Sequence, residues 1–182
     1  MKIVYQGKTK TGKEVVIRYP EKDDVTEMMR YINDLSKEKT FIRFQGEQTS
    51  FEEESKYLKG ILANIKNKKA VQFLVFLGNE LIANSDIHML DKTEKHVGIF
   101  GIAVARDYRN EGIGKLLMDL LFEEAKKEIP DLRIVTLGVY ATNSIAQNLY
   151  KKMGFVEYGK LPNGIIRNNN FEDAILMYKN IK

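Results

Sequence analysis

The alternation of apolar and polar residues in the first half of the chain predicts a hairpin followed by two helices. Residues 3–19 hold two short apolar runs on either side of a polar turn, as in two antiparallel strands. Apolar residues then recur at helical spacing over residues 25–35 and 51–65. The first of these helices is expected to begin at a cap supplied by Asp23 or Asp24.

The second half of the chain predicts another hairpin and then alternating strands and helices. Ala70–Leu77 and residues 81–89 are apolar runs joined by Gly78 and Asn79, which favour a tight turn. The other expected elements are strands at 99–104, 134–140, 155–158 and 174–178 and helices at 113–128 and 144–153. This order predicts a single mixed α/β domain over residues 1–182.

Composition narrows the class of protein. The chain has 182 residues, of which 43% are hydrophobic and 30% are charged, as in an ordinary globular domain. It contains no cysteine, which excludes disulfides, thiolate metal sites and a cysteine-bound reaction intermediate. The two histidines, His88 and His96, are too few for a typical structural zinc site, so no metal is expected.

Charge and hydropathy limit the partners and the location expected for the protein. The net charge of +4 favours an anionic ligand, but the chain lacks the clustered basic stripe of a nucleic-acid-binding protein. No apolar run reaches the length of a membrane helix, and residues 1–7 do not resemble a secretion signal. A cytoplasmic protein without nucleic-acid or membrane partners is therefore expected.

The most informative segment joins the strand at 99–104 to the helix at 113–128. It reads Arg109-Asn110-Glu111-Gly112-Ile113-Gly114. A tight glycine turn before a helix exposes unpaired backbone N–H groups at the positive end of the helix dipole, which suits a phosphate or diphosphate. The guanidinium of Arg109 would add a fixed charge. Taken alone, the segment is also compatible with a plain glycine turn.

Three motifs in order carry a resemblance to a known family. They are Gly101-Ile-Ala-Val104 with the Arg-x-x-Gly-x-Gly turn, Leu137-Gly-Val139, and Asn-x-x-Ala-x-x-Leu-Tyr-x-x-x-Gly-Phe over residues 143–155. The chain resembles the GNAT superfamily of acetyl-CoA-dependent N-acetyltransferases, most strongly over residues 96–155. Residues 157–159 and 173–177 look like the branch that contains ribosomal-protein and polyamine acetyltransferases.

The resemblance implies a mostly antiparallel sheet with two splayed parallel central strands and flanking helices. It also implies acetyl-CoA as co-substrate, without a metal. Asn143 would contact acetyl-CoA from the far side, Tyr150 would lie near the thioester sulfur as general acid, and Lys152 with Lys151 would either meet the 3′-phosphate or be solvated charges. The residues expected around the pantetheine arm are Ile102, Ala103 and Val104, and those around the diphosphate are Arg109, Asn110, Glu111, Gly112, Ile113, Gly114 and Lys115.

The general base is not identified by the resemblance. Some relatives carry a glutamate on a splayed strand, but the aligned positions here are Gly98 and Gly138. The remaining candidates are Asp86, His88 and His96, or a chain of water molecules. A base is needed because an amine with a pKa near 10.4 is neutral in only about 1 molecule in 2,500 at pH 7. The thiol leaves readily, so loss of the Tyr150 hydroxyl should slow the reaction without abolishing it.

The function expected from the resemblance is transfer of acetyl from acetyl-CoA to a primary amine by direct attack, without an acyl-enzyme. The alternative is a non-catalytic CoA-binding sensor or regulatory module on the same fold. The acceptor stays open between a polyamine, a protein N-terminus and a small amine or amino acid. An exposed edge on the N-terminal hairpin or the last strand would also allow a homodimer.

Two further segments have competing interpretations. Glu52-Glu53-Glu54 would suit a cationic acceptor, yet Ser50 and Glu53 also form a capping box at a helix start. Glu47 and its loop are expected near the acceptor cleft, as the resemblance implies. Residues 7–13 almost match a P-loop, but Glu14 stands where the motif needs Ser or Thr and a strand follows, which argues against nucleotide hydrolysis.

Overall fold

The computed structural model describes residues 2–181, which fold around one mixed β-sheet. The helices are α1 (Val25–Lys37), α2 (Phe51–Lys66), α3 (Ile113–Glu128) and α4 (Ser144–Lys152). The strands are β1 (Ile3–Lys8), β2 (Glu14–Arg18), β3 (Ala70–Leu77), β4 (Glu80–Met89), β5 (Val97–Val104), β6 (Ile134–Tyr140), β7 (Val156–Arg167) and β8 (Asn170–Asn180). Within the described range they form one eight-stranded sheet in the order β1-β2-β3-β4-β5-β6-β8-β7.

Neighbouring strands of this sheet are antiparallel except for β5 and β6, which are parallel. The predicted mixed, mostly antiparallel fold is therefore confirmed. The predicted bounds of α3, β3 and β6 agree with the structure. Among residues 2–181, no helix has both the length and the apolar character needed to cross a bilayer.

The two faces of the sheet bury separate apolar clusters because successive strand residues point to opposite sides. On β3, Phe73 and Val75 pack in the cluster that includes Leu117 and Leu121 of α3. Leu74, which lies between them in sequence, packs instead with the residues of α1 and α2. Helices α3 and α4 therefore cover one face, and α1 and α2 cover the other.

The parallel strands separate part of the way along their length, as the resemblance implied. They pair at Val97↔Ile134, Gly98↔Val135 and Ile99↔Thr136, and no pairing between them follows within the described chain. Beyond that point β5 stays paired with β4 as far as Val104, and β6 stays paired with β8 as far as Tyr140. An opening in the sheet therefore lies between residues 100–104 and residues 137–140.

The prediction for the closing strands was wrong in extent. Residues 155–158 and 174–178 are short parts of one long hairpin, β7 and β8. Its turn is formed by Asn168 and Asn169, both with positive φ, at 50° and 61°. Two such residues make the tight turn that matches the twist of a hairpin. The glycines and the proline between 159 and 164 hid the strand, because the hairpin absorbs them at breaks in its register.

The predicted helix cap is confirmed in full at α2, and at α1 it is confirmed in position but not in its side-chain hydrogen bond. At α2, the Ser50 hydroxyl accepts a hydrogen bond from the Glu53 amide at 3.2 Å, and the Glu53 carboxylate accepts one from the Ser50 amide at 2.8 Å. This is the predicted capping box. Asp24 occupies the cap position of α1 but makes no side-chain cap. Its carboxylate instead receives two hydrogen bonds from Arg18, at 2.6 and 2.7 Å, because the strand places that guanidinium beside it.

Candidate active site

The loop of residues 109–114 lies where β5 ends and α3 begins, next to the opening in the sheet. Gly112 is the cap residue of α3 and has φ +82° and ψ −1°, a left-handed conformation that favours glycine. Its carbonyl accepts the first helical hydrogen bond, from the Leu116 amide at 3.1 Å. Because glycine provides no capping side chain, the amides of residues 113–115 remain available to an anion.

Arg109 lies in this loop as predicted, and protein groups already engage it. Its Nε donates to the Val104 carbonyl at 2.9 Å, and a terminal nitrogen contacts the Glu38 carboxylate at 2.6 Å. Glu38 follows the last residue of α1, so Arg109 links the loop both to the end of β5 and to α1. A guanidinium has five N–H donors, so donors remain for a phosphate.

Glu111 has a structural role that the sequence pattern did not indicate. Its side chain is buried, its carboxylate accepts a hydrogen bond from Thr11 at 2.8 Å, and it forms an ion pair with Lys13. The Lys13 hydrogen bond holds the pKa of this carboxyl below its ordinary value. The β1–β2 turn, noted above only as a near match to a P-loop, thus supports the candidate phosphate loop.

The same turn approaches Gly112. The Lys10 amide donates to the Glu111 carbonyl at 3.3 Å, and a Cβ atom added to Gly112 would lie 2.9 Å from Cε of Lys10. The lysine stem therefore passes directly over the loop. About one hundred residues separate the turn from the loop in sequence, so no local motif could reveal the contact.

The backbone of residues 102–104 borders the opening, and two of its carbonyls have partners. The hydroxyl of Tyr31 on α1 donates to the Ala103 carbonyl at 2.8 Å, and Arg109 occupies that of Val104. A carbonyl oxygen can accept two hydrogen bonds, so that of Val104 keeps one acceptor site, whereas Ala103 is also paired with Asn84 of β4. All three residues are partly exposed along this stretch of β5.

Helix α4 brings Asn143 and Tyr150 to the other side of the opening. The Asn143 side chain caps α4 by accepting from the Ala146 amide at 3.1 Å. Tyr150 is 9% exposed and packs edge to face on Phe100, with 6.0 Å between ring centroids. Burial raises its pKa to about 12, and its hydroxyl has no hydrogen-bond partner among residues 2–181. It therefore stays protonated at neutral pH with its donor unused.

The lysines at the end of α4 are exposed, and neither side chain has a hydrogen bond or ion pair with residues 2–181. Lys151 and Lys152 lie in the last turn, where cations are favoured by the helix dipole. In the first turn of α3, a Cβ added to Gly114 would lie 3.6 Å from Leu149 of α4. The first turn of α3 and the body of α4 are thus close neighbours beside the opening.

The candidate bases occupy different positions relative to the opening. His96 is exposed and precedes the paired end of β5, six residues before Ile102, which is about 20 Å along a strand. Asp86 pairs with Gly101 in the separated half of β5, and a Cβ on Gly101 would lie 3.0 Å from Oδ1 of Asp86. Asp86 also hydrogen-bonds Nδ1 of His88 at 2.9 Å, which raises the pKa of that histidine.

The two glycines at the aligned base positions differ in the space available for a side chain. A Cβ on Gly98 would lie 2.8 Å from Ile87 and 3.0 Å from Leu132, so the packed core leaves no room there for a carboxylate. A Cβ on Gly138 would meet only Leu176, at 3.9 Å. Within residues 2–181 there is also no cluster of His, Cys, Asp and Glu that could hold a metal ion.

Comparison with known proteins identifies the class to which this fold and site belong. The model of the Acetyltransferase (GNAT) family matches residues 29–155. The chain belongs to this family.

The curated proteins that are similar to this chain match only part of it. The ribosomal protein bS18-alanine N-acetyltransferase of Escherichia coli K12 is 35% identical over 79 residues, 43% of this chain and 52% of that protein. The N-alpha-acetyltransferase of Sulfurisphaera tokodaii is 40% identical over 73 residues, 40% of this chain and 43% of that protein. The chain thus spans about half the length of the curated relatives it matches.

Solved structures match over nearly the whole chain. A GNAT-family acetyltransferase from Streptococcus pneumoniae has a TM-score of 0.84 and 28% identity, covering 93% of this chain and 100% of that one. The yncA protein of Salmonella typhimurium, solved with acetyl-CoA, has a TM-score of 0.78 and 14% identity, covering 92% and 94%.

Proposed function

We propose that this protein transfers an acetyl group from acetyl-CoA to a primary amine. The observation that carries the proposal is the opening between β5 and β6 beside the uncapped start of α3, in a chain of the GNAT family. Two of the curated relatives are named as a ribosomal protein bS18-alanine N-acetyltransferase and an N-alpha-acetyltransferase, which supports an amine as acceptor.

The residues around the opening fit acetyl-CoA. The amides of residues 113–115 and the spare donors of Arg109 would hold the diphosphate, with Asn110 and Glu111 shaping the loop. The unpaired edge of residues 102–104 would hydrogen-bond the pantetheine arm as an added strand does. Asn143 and Lys152 would contact the cofactor from the side of α4. Acetyl-CoA supplies an activated acetyl group whose thiol leaves readily.

The protein's own residues would then move protons. The chain has no cysteine, so direct attack in a ternary complex, without an acyl-enzyme, is the simplest route. Asp86, beside Gly101, is better placed than His96 to receive the proton of the amine, directly or through water. Tyr150 keeps its proton at neutral pH and would donate it to the departing sulfur.

The alternative is a CoA-binding module that does not turn over, and the absence of side chains at Gly98 and Gly138 favours it. Two measurements on one preparation separate the alternatives. Acetyl-CoA should raise the melting temperature, because a ligand that binds the native state stabilises it. Free-thiol release should then exceed the no-amine background for at least one member of a broad amine panel. Stabilisation without release would support the binding module, and no stabilisation would reject both.

We also propose that the protein forms a homodimer through the β7–β8 hairpin. Strand β7 is an edge of the sheet, and the hairpin exposes large apolar side chains, including Leu161 at 54%, Ile166 at 58% and Phe171 at 68%. Sedimentation velocity over a range of protein concentrations tests this proposal, and a monomer throughout would reject it.

A further inference from the structure

A cavity of about 420 Å³ lies between α1, α2 and the β3–β4 part of the sheet, on the face opposite α3. Its wall is mostly apolar and includes Met28, Ile32, Phe44 and Leu81. This volume is within the usual range for a small-molecule site, roughly 300–1,000 Å³. The loop predicted to border an acceptor cleft contributes Phe44 and Thr49, while Glu47 turns its carboxylate back onto the Gln45 amide.

The cavity contains one unexplained charge. Glu54 lines it and is only 7% exposed, yet its carboxylate has no hydrogen bond or ion pair with any residue from 2 to 181. Burial raises its pKa above the ordinary value. A buried carboxylate without a partner costs free energy, which a cationic ligand would recover.

The three neighbouring glutamates have different roles, although they are adjacent in sequence. Glu53 is used by the capping box, and Glu52 is exposed and does not line the cavity. Glu54 alone of the three is buried against the cavity. The titratable groups that line it are Tyr31, Glu53, Glu54 and Tyr57, and no described Lys, Arg or His is among the lining residues.

Two residues that line the cavity contact the separated half of β5. Tyr31 lines it and donates to the Ala103 carbonyl, and Asn84 lines it and pairs with Ala103. The hydroxyl of Tyr57 accepts a hydrogen bond from Gln72 at 3.2 Å, and the charges of Asp86 and Glu54 both add to the raised pKa that burial gives Tyr57. Tyr57 is thus within electrostatic reach of the carboxylate in the cavity and of the one beside Gly101.

We infer that this cavity binds an acceptor with two cationic centres joined by an apolar chain, of the α,ω-diamine class, and that Glu54 holds the amine that is not acetylated. The inference rests on the proposed function. Pairing with a carboxylate favours the protonated amine, which cannot attack a thioester. The reacting amine is therefore the one remote from Glu54, directed towards Asp86 and β5. The apolar wall accommodates the chain between the two amines.

The test compares amines that differ only in the second charge. Acetylation of 1,4-diaminobutane and 1,6-diaminohexane is measured against butylamine and hexylamine, with the wild type, Glu54→Gln and the control Glu52→Gln. The wild type should prefer each diamine in kcat/KM by about tenfold or more, since a buried charge pair is being formed. Glu54→Gln should abolish this preference, mainly by raising KM for the diamines. Glu52→Gln should behave as the wild type.

A binding measurement keeps the inference separate from turnover. Without acetyl-CoA, 1,6-diaminohexane should raise the melting temperature of the wild type and of Glu52→Gln more than that of Glu54→Gln. A diamine preference that survives in Glu54→Gln, or an equal shift in all three proteins, would overturn the inference while leaving acetyl transfer intact. Diamine stabilisation that depends on Glu54, without thiol release, would support the cavity and contradict the proposed enzyme.

Discussion

The two faces of the sheet hold candidate sites that are built in different ways. On the face proposed to bind the cofactor (the cofactor face), which carries α3, α4 and the loop of residues 109–114, the site consists mainly of backbone. It comprises a left-handed glycine, free helix amides and an unpaired strand edge. On the face proposed to bind the acceptor (the acceptor face), which carries α1, α2 and the cavity, the site consists of side chains from several elements. Backbone geometry is encoded in short local motifs, whereas the cavity exists only once distant elements pack.

The largest effect is expected from a change of backbone on the cofactor face. Gly112→Ala forces a left-handed conformation that costs a non-glycine residue about 1–2 kcal/mol, and the loop should relax away from its amide arrangement. We expect KM for acetyl-CoA to rise by about tenfold or more, since several charge-assisted hydrogen bonds are displaced together. KM for the acceptor should stay nearly constant, as measured by steady-state thiol release.

The matched control for this change is Gly78→Ala in the β3–β4 turn. Gly78 also has a positive φ, at 58°, and an added Cβ would meet nothing within 4 Å. It should lose stability through backbone strain alone and keep the wild-type KM for acetyl-CoA. Equal KM values for the two variants would contradict the assignment of the diphosphate to the 109–114 loop.

The second-largest effect is expected on kcat, from substitution of Tyr150, which lies beside the opening. Tyr150→Phe should lower kcat by about tenfold to a hundredfold, at the modest end of general acid catalysis because the thiol departs easily. The folded-state pKa of Tyr150 is about 12, so its proton is present throughout the range from pH 6 to pH 10. The pH profile of kcat should therefore keep its shape in the variant while its height falls. A descending limb that disappears on mutation would show that Tyr150 titrates within that range.

A smaller effect is expected where a side chain supports the backbone site. Lys13→Met removes the cation paired with Glu111 and leaves the methylene stem. The loop should become less ordered, and KM for acetyl-CoA should rise several-fold with little change in kcat. Lys8→Met is the control, because Lys8 pairs with the exposed Glu14 on the same hairpin. Identical kinetics in the two variants would remove the β1–β2 turn from the cofactor site.

The smallest expected effect is a change in protein stability caused by substitution of Glu54 on the acceptor face. Because burial raises the pKa of Glu54, the folded protein binds more protons than the unfolded chain between the ordinary pKa of 4.5 and the raised value. This group's contribution to stability therefore falls as the pH rises through that window. Glu54→Gln should melt a few degrees above the wild type at pH 8 and lose the advantage near pH 4. Scanning calorimetry of both proteins without ligand measures this, and a lower melting temperature at pH 8 would show that Glu54 has a stabilising partner.

The difference between a site built from local backbone and one built from distant side chains also explains what could be predicted from the sequence. The strand, glycine loop and helix around Gly112 were predictable because each is encoded within a few residues by periodicity and by glycine chemistry. The role of Glu111 was not, since Thr11 and Lys13 approach it only after the N-terminal hairpin packs on the loop. Glu54 looked like one of three helix-start acids, and only the packing of α2 on the sheet distinguishes it from Glu52 and Glu53. The long β7–β8 hairpin had a local signal, Asn168-Asn169, but Pro162 and its glycine neighbours outweighed it.

The hydrogen bond from Tyr31 to Ala103 and the ion pair between Arg109 and Glu38 both fasten helix α1 to the strand and loop of the cofactor face. A molecule bound in the cavity beside Tyr31 would therefore contact the helix that is fastened to the loop of residues 109–114. Occupancy of one pocket should alter the affinity of the other, and thermodynamic linkage requires the change to be equal in both directions. The protein would then respond jointly to the two substrates proposed for it, through the position of a single helix.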